Sequence, residues 1–192
     1  MNKLQNLNEL ELKERNSSLK KAKKILDKLN IVFFLEGGAY LGAVREKNFI
    51  SWDWDIELAV FTENVIFRIN EILNEFHKNN FKILNVINSE LNFKINIYEK
   101  KHTKISIIGY RLKGQYRERE TLHWPAKFFN NNKIFFLGEN YNCPNMEYLD
   151  WTYKNWKVPN KTSNQKEYLN KQVFNKKNYF NLLLKKTYFL FA

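Results

Sequence analysis

The chain has 192 residues, 44% of them hydrophobic and 16% aromatic, and its formal net charge at pH 7 is +12. This length is typical of one domain with room for a sizeable core, and the composition excludes a disordered chain. No long uninterrupted apolar run occurs, and the stretch from Met1 to Lys28 lacks the apolar centre of a signal peptide, so we expect a cytoplasmic protein. The single cysteine, Cys143, fits a reducing compartment, and zinc is not expected because no second Cys or suitably spaced His stands nearby.

Hydrophobic spacing predicts alternating helices and strands. Apolar residues recur at helical spacing from Asn8 to Leu29 and from Glu63 to Lys78, which predicts two helices. Thr62 is the predicted N-cap of the second helix. The predicted strands are Ile31 to Leu35, Trp54 to Phe61, Phe81 to Ile87, Leu91 to Tyr98, Lys104 to Tyr110 and Lys133 to Leu137. We therefore expect an α/β (α+β) fold in which a mixed sheet of about five strands is flanked by helices.

One stretch combines the elements of a binding site. An apolar strand is followed by Gly37 and Gly38, a short amphipathic segment, and a second strand with acids at alternate positions. Strand side chains alternate between the two faces of a sheet, so the three acids are predicted to share one face. They are Asp53, Asp55 and Glu57. The apolar residues beside them are predicted to face the core: Trp54, Ile56 and Leu58.

This pattern indicates phosphoryl chemistry. Three carboxylates on one face repel one another unless a cation lies among them, and hard oxygen ligands suit Mg²⁺ or Mn²⁺. The backbone N–H groups of Gly37 and Gly38, at the start of a helix from Ala39 to Arg45, are suited to phosphate oxygens. The alternative is an edge strand whose acids simply face water.

The run Leu35-Glu36-Gly37-Gly38-Ala39-Tyr40-Leu41-Gly42-Ala43-Val44-Arg45, followed by Phe49-Ile50-Ser51-Trp52-Asp53-Trp54-Asp55-Ile56-Glu57, resembles the signature of LicD-type proteins. That family includes bacterial phosphocholine transferases and the fukutin group of ribitol-phosphate transferases. The resemblance implies a nucleotidyltransferase fold and a metal-dependent transfer of a phospho-alcohol, such as phosphocholine, from a CDP-linked donor. The acceptor it implies is a sugar hydroxyl of a cell-surface glycan such as lipopolysaccharide.

The same resemblance implies roles for individual residues. Asp55 and Glu57 match the acid pair of the fold, and Asp53 matches an extra acid that the family places before it. All three are therefore expected to be catalytic and to bind the metal. Gly37, Gly38 and the basic residue Arg45 are expected to bind the donor.

A second motif extends the resemblance to about Ile31 to Pro159, because Pro144, Tyr148, Leu149, Tyr153, Trp156 and Pro159 follow the family's order. One departure stands between the two motifs. Where the family has a third acid, this chain has Ser106 or, in another alignment, Asn96. Two further functions therefore stay open: nucleotidyl transfer to a protein or small molecule, and a pseudoenzyme or binding module.

The mixed-charge run from Arg111 to Glu120 is predicted to be a solvated helix or loop, with diphosphate binding by its arginines as the alternative. We place the LicD-like domain at residues 1–160, with its core at 31–159, and a lysine-rich extension at 161–192. From Trp151 to Ala192 there are nine lysines against the single acid Glu167. This basic segment is either a solvated surface packed on the domain or a peripheral contact with the inner face of a membrane, and nucleic acid is the least favoured partner.

Overall fold

The computed structural model describes residues 6–175, which form a mixed sheet flanked by helices. The helices are α1 (Glu9–Lys28), α2 (Gly37–Arg45), α3 (Thr62–Val65), α4 (Ile69–Lys78), α5 (Glu147–Thr152) and α6 (Gln165–Tyr168). The strands are β1 (Phe33–Glu36), β2 (Ile56–Phe61), β3 (Lys82–Asn88), β4 (Phe93–Tyr98), β5 (Ile105–Lys113), β6 (Tyr116–Arg119), β7 (Leu122–Pro125), β8 (Lys133–Phe136) and β9 (Glu139–Asn142). The predicted α/β class is confirmed.

The acid-bearing strand lies at the centre of the sheet, as predicted. The strand order is β3-β4-β5-β2-β1-β9-β8, and the pairs β2–β5 and β1–β9 are parallel while the others along this path are antiparallel. The C-terminal part of β5 continues into a hairpin with β6 and β7. Within residues 6–175 the sheet thus has nine strands rather than the five expected. The run from Arg111 to Glu120 is strand and turn rather than a solvated helix or loop, and β7 and β9 were not predicted as strands.

Helix α1 begins at a well-formed cap and packs through one apolar side. The Asn8 side chain accepts a hydrogen bond from the Glu11 N–H, and the Glu11 side chain accepts one from the Asn8 N–H, which satisfies two free donors of the first turn. The buried apolar residues of this helix are Leu19, Ala22, Ile25 and Leu26. They join the strands in one core, and no helix of the described part is long and apolar enough to cross a membrane.

The second predicted helix is interrupted. Residues 66–68 form a turn between α3 and α4, and Arg68 there donates a hydrogen bond of 2.8 Å to the carbonyl of Leu29 at the end of α1. This contact ties the start of α4 to the end of α1. Thr62 is the first residue of α3 rather than its N-cap, and its side chain makes no capping bond.

The C-terminal residues of the described range pack on the domain. Val173 and Leu169 are buried, and Leu169 forms an isolated bridge with Tyr153. A second bridge joins Phe174 to Leu122. The apolar and basic residues from Tyr179 onward, on which a membrane contact was predicted, lie outside the described residues.

Candidate functional site

A cleft of about 460 Å³ brings most of the predicted site residues together. Its lining comes mainly from residues 50–57, from α2, from residues 119–122 and from residues 153–168, which follow α5. Five of the six predicted residues line it: Gly38, Arg45, Asp53, Asp55 and Glu57. The sixth, Gly37, lies against the side chain of Glu57.

The three acids do not all lie on a strand, contrary to the prediction. β2 begins at Ile56, so Asp53 and Asp55 belong to the segment that leads into the strand, which we call the acid segment (residues 51–55). The prediction that Trp54 packs into the core was wrong, because strand alternation begins only after it. The Trp54 side chain is 38% exposed, and the ammonium nitrogen of Lys104 lies 3.6 Å from its ring centroid.

The glycine pair makes room for two of the acids. A Cβ atom at Gly37 would stand 1.9 Å from Glu57 Oε2, and one at Gly38 would stand 1.8 Å from Asp53 Oδ2. Gly37 also has a φ of +55°, which other residues adopt at a cost. The carboxylates therefore lie against the N-terminal end of α2, where the helix dipole stabilises negative charge. Phosphate binding by these N–H groups remains a prediction.

A row of polar side chains crosses the sheet at the level of Glu57. Cα pairing places Glu36 beside Glu57, Glu57 beside Ser106, Ser106 beside Asn96, and Asn96 beside Asn85. Paired residues of neighbouring strands share a face, so five strands contribute to one polar surface. The row is acidic on β1 and β2 and neutral on β5, β4 and β3.

The acidic end of this row depends on Glu36, which the sequence analysis did not select. Glu36 is 1% exposed, and its Oε1 accepts hydrogen bonds from the hydroxyls of Tyr110 at 2.6 Å and Tyr148 at 3.0 Å. Arg119 Nη1 lies 3.4 Å from Glu36 Oε2 and 3.4 Å from Glu57 Oε1. One guanidinium thus bridges two facing carboxylates and offsets part of the repulsion between them.

The neutral part of the row contacts Asp55. The Ser106 hydroxyl lies 2.8 Å from Asp55 Oδ2 and 2.7 Å from Asn96 Oδ1, and its single proton serves one of them at a time. Asn96 in turn donates to Asn85 Oδ1. Lys104 Nζ lies 3.5 Å from Asp55 Oδ2, and burial lowers the pKa of this lysine. Of the two positions considered for the family's third acid, Ser106 contacts Asp55 directly and Asn96 contacts Ser106, and both are neutral.

Arg45 connects two walls of the cleft. Its Nε binds Glu46 Oε1 at 2.7 Å, and its Nη1 donates to the carbonyl oxygen of Trp156 at 2.9 Å. The guanidinium thereby joins the end of α2 to the segment after α5. A contact between Arg45 and a donor remains a prediction.

Two of the predicted metal ligands carry raised pKa values. Burial, and then the negative charge of Asp55, raise the pKa of Asp53 to about 7, although the Arg15 guanidinium opposes the shift. Burial, and then Glu36, raise the pKa of Glu57 to about 8, against the effect of Arg119. The site therefore holds more negative charge than its own cations compensate, and a divalent cation fits this donor set of carboxylate oxygens.

Among residues 6–175, no three His, Cys, Asp or Glu side chains are already arranged around a metal position. Mg²⁺ is nevertheless commonly held by one or two carboxylates, with water and substrate phosphates as its other ligands. The acids that fit this arrangement are those that line the cleft, Asp53, Asp55 and Glu57.

These pKa values predict that the metal-free protein loses stability as the pH rises. The pKa values of Asp53 and Glu57 lie above their ordinary values of 3.8 and 4.5, so the folded state binds more protons than the unfolded state between about pH 4 and pH 8. Stability is fully present at the acid end of this window and falls towards pH 8. We expect the free energy of unfolding to drop by several kcal/mol from pH 5 to pH 8, because each pH unit over which the folded state holds one more proton than the unfolded state corresponds to about 1.4 kcal/mol.

Urea unfolding in the presence of EDTA at both pH values measures this change. Asp53→Asn, which removes one of the two titrating acids, should flatten the pH dependence. An equal loss of stability in the wild type and in Asp53→Asn would contradict the assignment.

Residues 30–161 match the family described as LicD/FKTN/FKRP, nucleotidyltransferase domain. The chain belongs to this family. The match confirms the resemblance drawn from the two motifs. Membership of this family identifies the chain as a transferase-type domain.

Relatives of the LicD family domain share parts of this chain. An uncharacterised protein of Rickettsia typhi is 30% identical over 133 residues, which cover 67% of this chain and 39% of that protein. Ribitol 5-phosphate transferase FKRP of Homo sapiens is 39% identical over 41 residues, which cover 21% of this chain and 8% of that protein. The chain therefore spans well under half the length of these relatives.

Solved structures show the same fold. The lincosamide antibiotic adenylyltransferase LnuA superposes with a TM-score of 0.52 at 10% identity, over 81% of this chain and 91% of that one. ANT(2'')-Ia, an antibiotic-resistance factor, superposes with a TM-score of 0.54 at 14% identity, over 73% of this chain and 70% of that one. The nucleotidyltransferase fold predicted for the LicD-type domain is confirmed.

Proposed function

We propose that this LicD-type domain transfers a phospho-alcohol from a CDP-activated donor to a sugar hydroxyl of a cell-surface glycan. The observation that carries the proposal is the clustering of Asp53, Asp55 and Glu57 on one cleft beside the N-terminus of α2. Family membership supports the reaction class. The raised pKa values of Asp53 and Glu57 support a need for a divalent cation at this place.

In this proposal Asp53, Asp55 and Glu57 hold Mg²⁺ or Mn²⁺, which when bound neutralises charge on the donor diphosphate and on the departing CMP. Arg45, which already joins two walls of the cleft, supplies a fixed positive charge near the diphosphate. Asp53, whose carboxylate lines the cleft beside the N-terminus of α2, accepts the proton of the acceptor hydroxyl. The new bond from the acceptor oxygen to phosphorus then forms as the bond from phosphorus to CMP breaks.

The aromatic lining of the cleft supports choline as the alcohol. Trp52, Trp54, Trp156, Tyr153 and Tyr168 line the same cleft as the acids. Aromatic faces attract quaternary ammonium groups, whereas a polyol such as ribitol gains little from them. The exposed lysines of the segment after α5, among them Lys154 and Lys157, favour the approach of an anionic donor.

The neutral residues beside Asp55 favour a second candidate, a binding module with little or no turnover. Ser106, which contacts Asp55, and Asn96, which contacts Ser106, contribute no charge, so neither position supplies a further carboxylate that could act as base or ligand. Nucleotidyl transfer by the same site is the third candidate.

Isothermal titration with CDP-choline, CTP and ATP, each with and without Mg²⁺, separates these functions when it is combined with a CMP-release assay on a glycan acceptor. We expect Mg²⁺-dependent binding of CDP-choline in preference to both triphosphates, together with CMP release. A preference for a triphosphate would support nucleotidyl transfer. Mg²⁺-dependent binding of CDP-choline without CMP release would support the binding module, and no Mg²⁺-dependent binding would overturn the proposal.

A further inference from the structure

A buried arginine, Arg15, binds the backbone of the acid segment. Arg15 of α1 is 1% exposed, its Nη1 donates to the carbonyl oxygen of Asp53 at 2.6 Å, and its Nη2 donates to that of Asp55 at 2.5 Å. The guanidinium also lies 4.9 Å from the ring centroid of Phe49. Residue 15 precedes the matched family region, which begins at residue 30. A helix outside that region therefore contacts the acids of the site.

The burial of the Arg15 guanidinium is energetically unfavourable. Burial lowers the pKa of Arg15, so the protein sets a charged group where solvation opposes it, and Arg15 Nε has no hydrogen-bond partner in the structure. The feature specific to arginine is its planar guanidinium, whose two Nη groups bind the carbonyl groups of Asp53 and Asp55 at the same time. An apolar side chain would fill the same space at lower cost, so packing alone does not explain an arginine here.

The two carbonyl contacts fix the peptide group that joins Asp53 to Trp54 and the one that joins Asp55 to Ile56. Asp53 and Asp55 lie outside β2, so strand pairing does not order them. Their side chains line the cleft while their carbonyl oxygens bind the guanidinium. The arginine thereby sets the spacing of the two carboxylates without touching them.

We propose that Arg15 is a positioning residue, which holds the carboxylates of Asp53 and Asp55 at the separation that a divalent cation requires. The metal part of this inference rests on the proposed function. Loss of an outer contact of this kind commonly weakens metal binding by about 10–100-fold. Arg15→Lys keeps the charge but replaces the fork with a single ammonium, which can bind one carbonyl well and not both.

Two measurements on the full chain test the proposal, with Leu19→Ala as the control. Leu19 is fully buried on the same helix and has no polar group that could bind the carbonyl groups of Asp53 and Asp55, so its truncation lowers stability by about 2–5 kcal/mol while the contacts of Arg15 stay available. The measurements are Mn²⁺ affinity by electron paramagnetic resonance, and amide hydrogen exchange of residues 51–56 in the metal-free protein. We expect Arg15→Lys to weaken Mn²⁺ binding at least tenfold and to speed exchange in residues 51–56, and Leu19→Ala to do neither.

Unchanged Mn²⁺ affinity and unchanged exchange in Arg15→Lys, whatever its melting temperature, would overturn the positioning role. If the wild type itself bound no Mn²⁺ while Arg15→Lys still sped exchange in residues 51–56, the proposed metal-dependent function would fail, but the hold on the acid segment would stand. An equal effect of Leu19→Ala on both readouts would show that Arg15 acts only through global stability.

Discussion

Asp55→Asn is expected to lower metal-dependent transfer by about 10³-fold, because it removes one unit of negative charge from the cation site. Loss of several kcal/mol of charge stabilisation has this effect, at about 1.4 kcal/mol for each factor of ten. The fold should survive, since an asparagine oxygen still accepts the hydrogen bond of Ser106. A melting temperature within about 3 °C of the wild type corresponds to a change on the order of 1 kcal/mol for a protein of this size. Release of CMP from CDP-choline measures the activity.

Asp27→Asn is the matched control for this variant. Asp27 is an exposed acid of α1 that pairs with Lys23 and lies away from the cleft lining, so its substitution should leave transfer unchanged. Full transfer activity with unchanged metal dependence in Asp55→Asn would show that the site has been assigned to the wrong residues.

Gly37→Ala is expected to be the most destabilising single change at the site. Alanine at a φ of +55° costs roughly 1–2 kcal/mol, and its Cβ would stand 1.9 Å from Glu57 Oε2. Glu57 cannot retreat freely, because it is held beside Arg119 and Glu36. We expect the free energy of unfolding to fall by about 3 kcal/mol in total, within the range of changes that displace a buried polar group. Urea unfolding measures this loss of stability, and titration with CDP-choline measures the accompanying loss of donor binding.

Gly114→Ala separates the backbone cost of a positive φ from the steric clash with Glu57. Gly114 has nearly the same backbone conformation, with a φ of +57°, but nothing lies within 4 Å of an added Cβ. Its substitution therefore reports the conformational cost alone and should leave nucleotide binding intact. Equal losses of stability in Gly37→Ala and Gly114→Ala, with nucleotide binding retained in both, would show that the close approach of Glu57 to position 37 contributes nothing to stability or binding.

The local elements of the site were predictable because they leave local patterns. The strand, glycine pair and helix from Phe33 to Arg45 lie close in sequence, and their apolar and small residues mark them. Trp54 was misplaced for a physical reason: alternation of residue types does not show where a strand begins. The turn at residues 51–52 and the hold of Arg15 on the acid segment keep Asp53 and Asp55 off the strand.

Glu36 was missed because its role depends on distant partners. The residues that make its burial tolerable, Tyr110 and Tyr148, lie 74 and 112 positions away along the chain. A single acid at the end of an apolar strand gives no local sign of them. The β6–β7 hairpin was missed because its alternating charges were interpreted as solvent exposure, although Gly114 at the preceding turn was a usable signal.

The bridge between Glu36, Glu57 and Arg119 also bears on how the chain acquires its structure during synthesis. Arg119 is translated 62 residues after Glu57, so a nascent chain presents two facing carboxylates on β1 and β2 before the guanidinium exists. Like charges directly opposite each other weaken an antiparallel pair. Tyr148, the second hydroxyl donor to Glu36, arrives later still. The contacts around Glu36 and Glu57 in the middle of the sheet are therefore completed only after most of the domain has been synthesised.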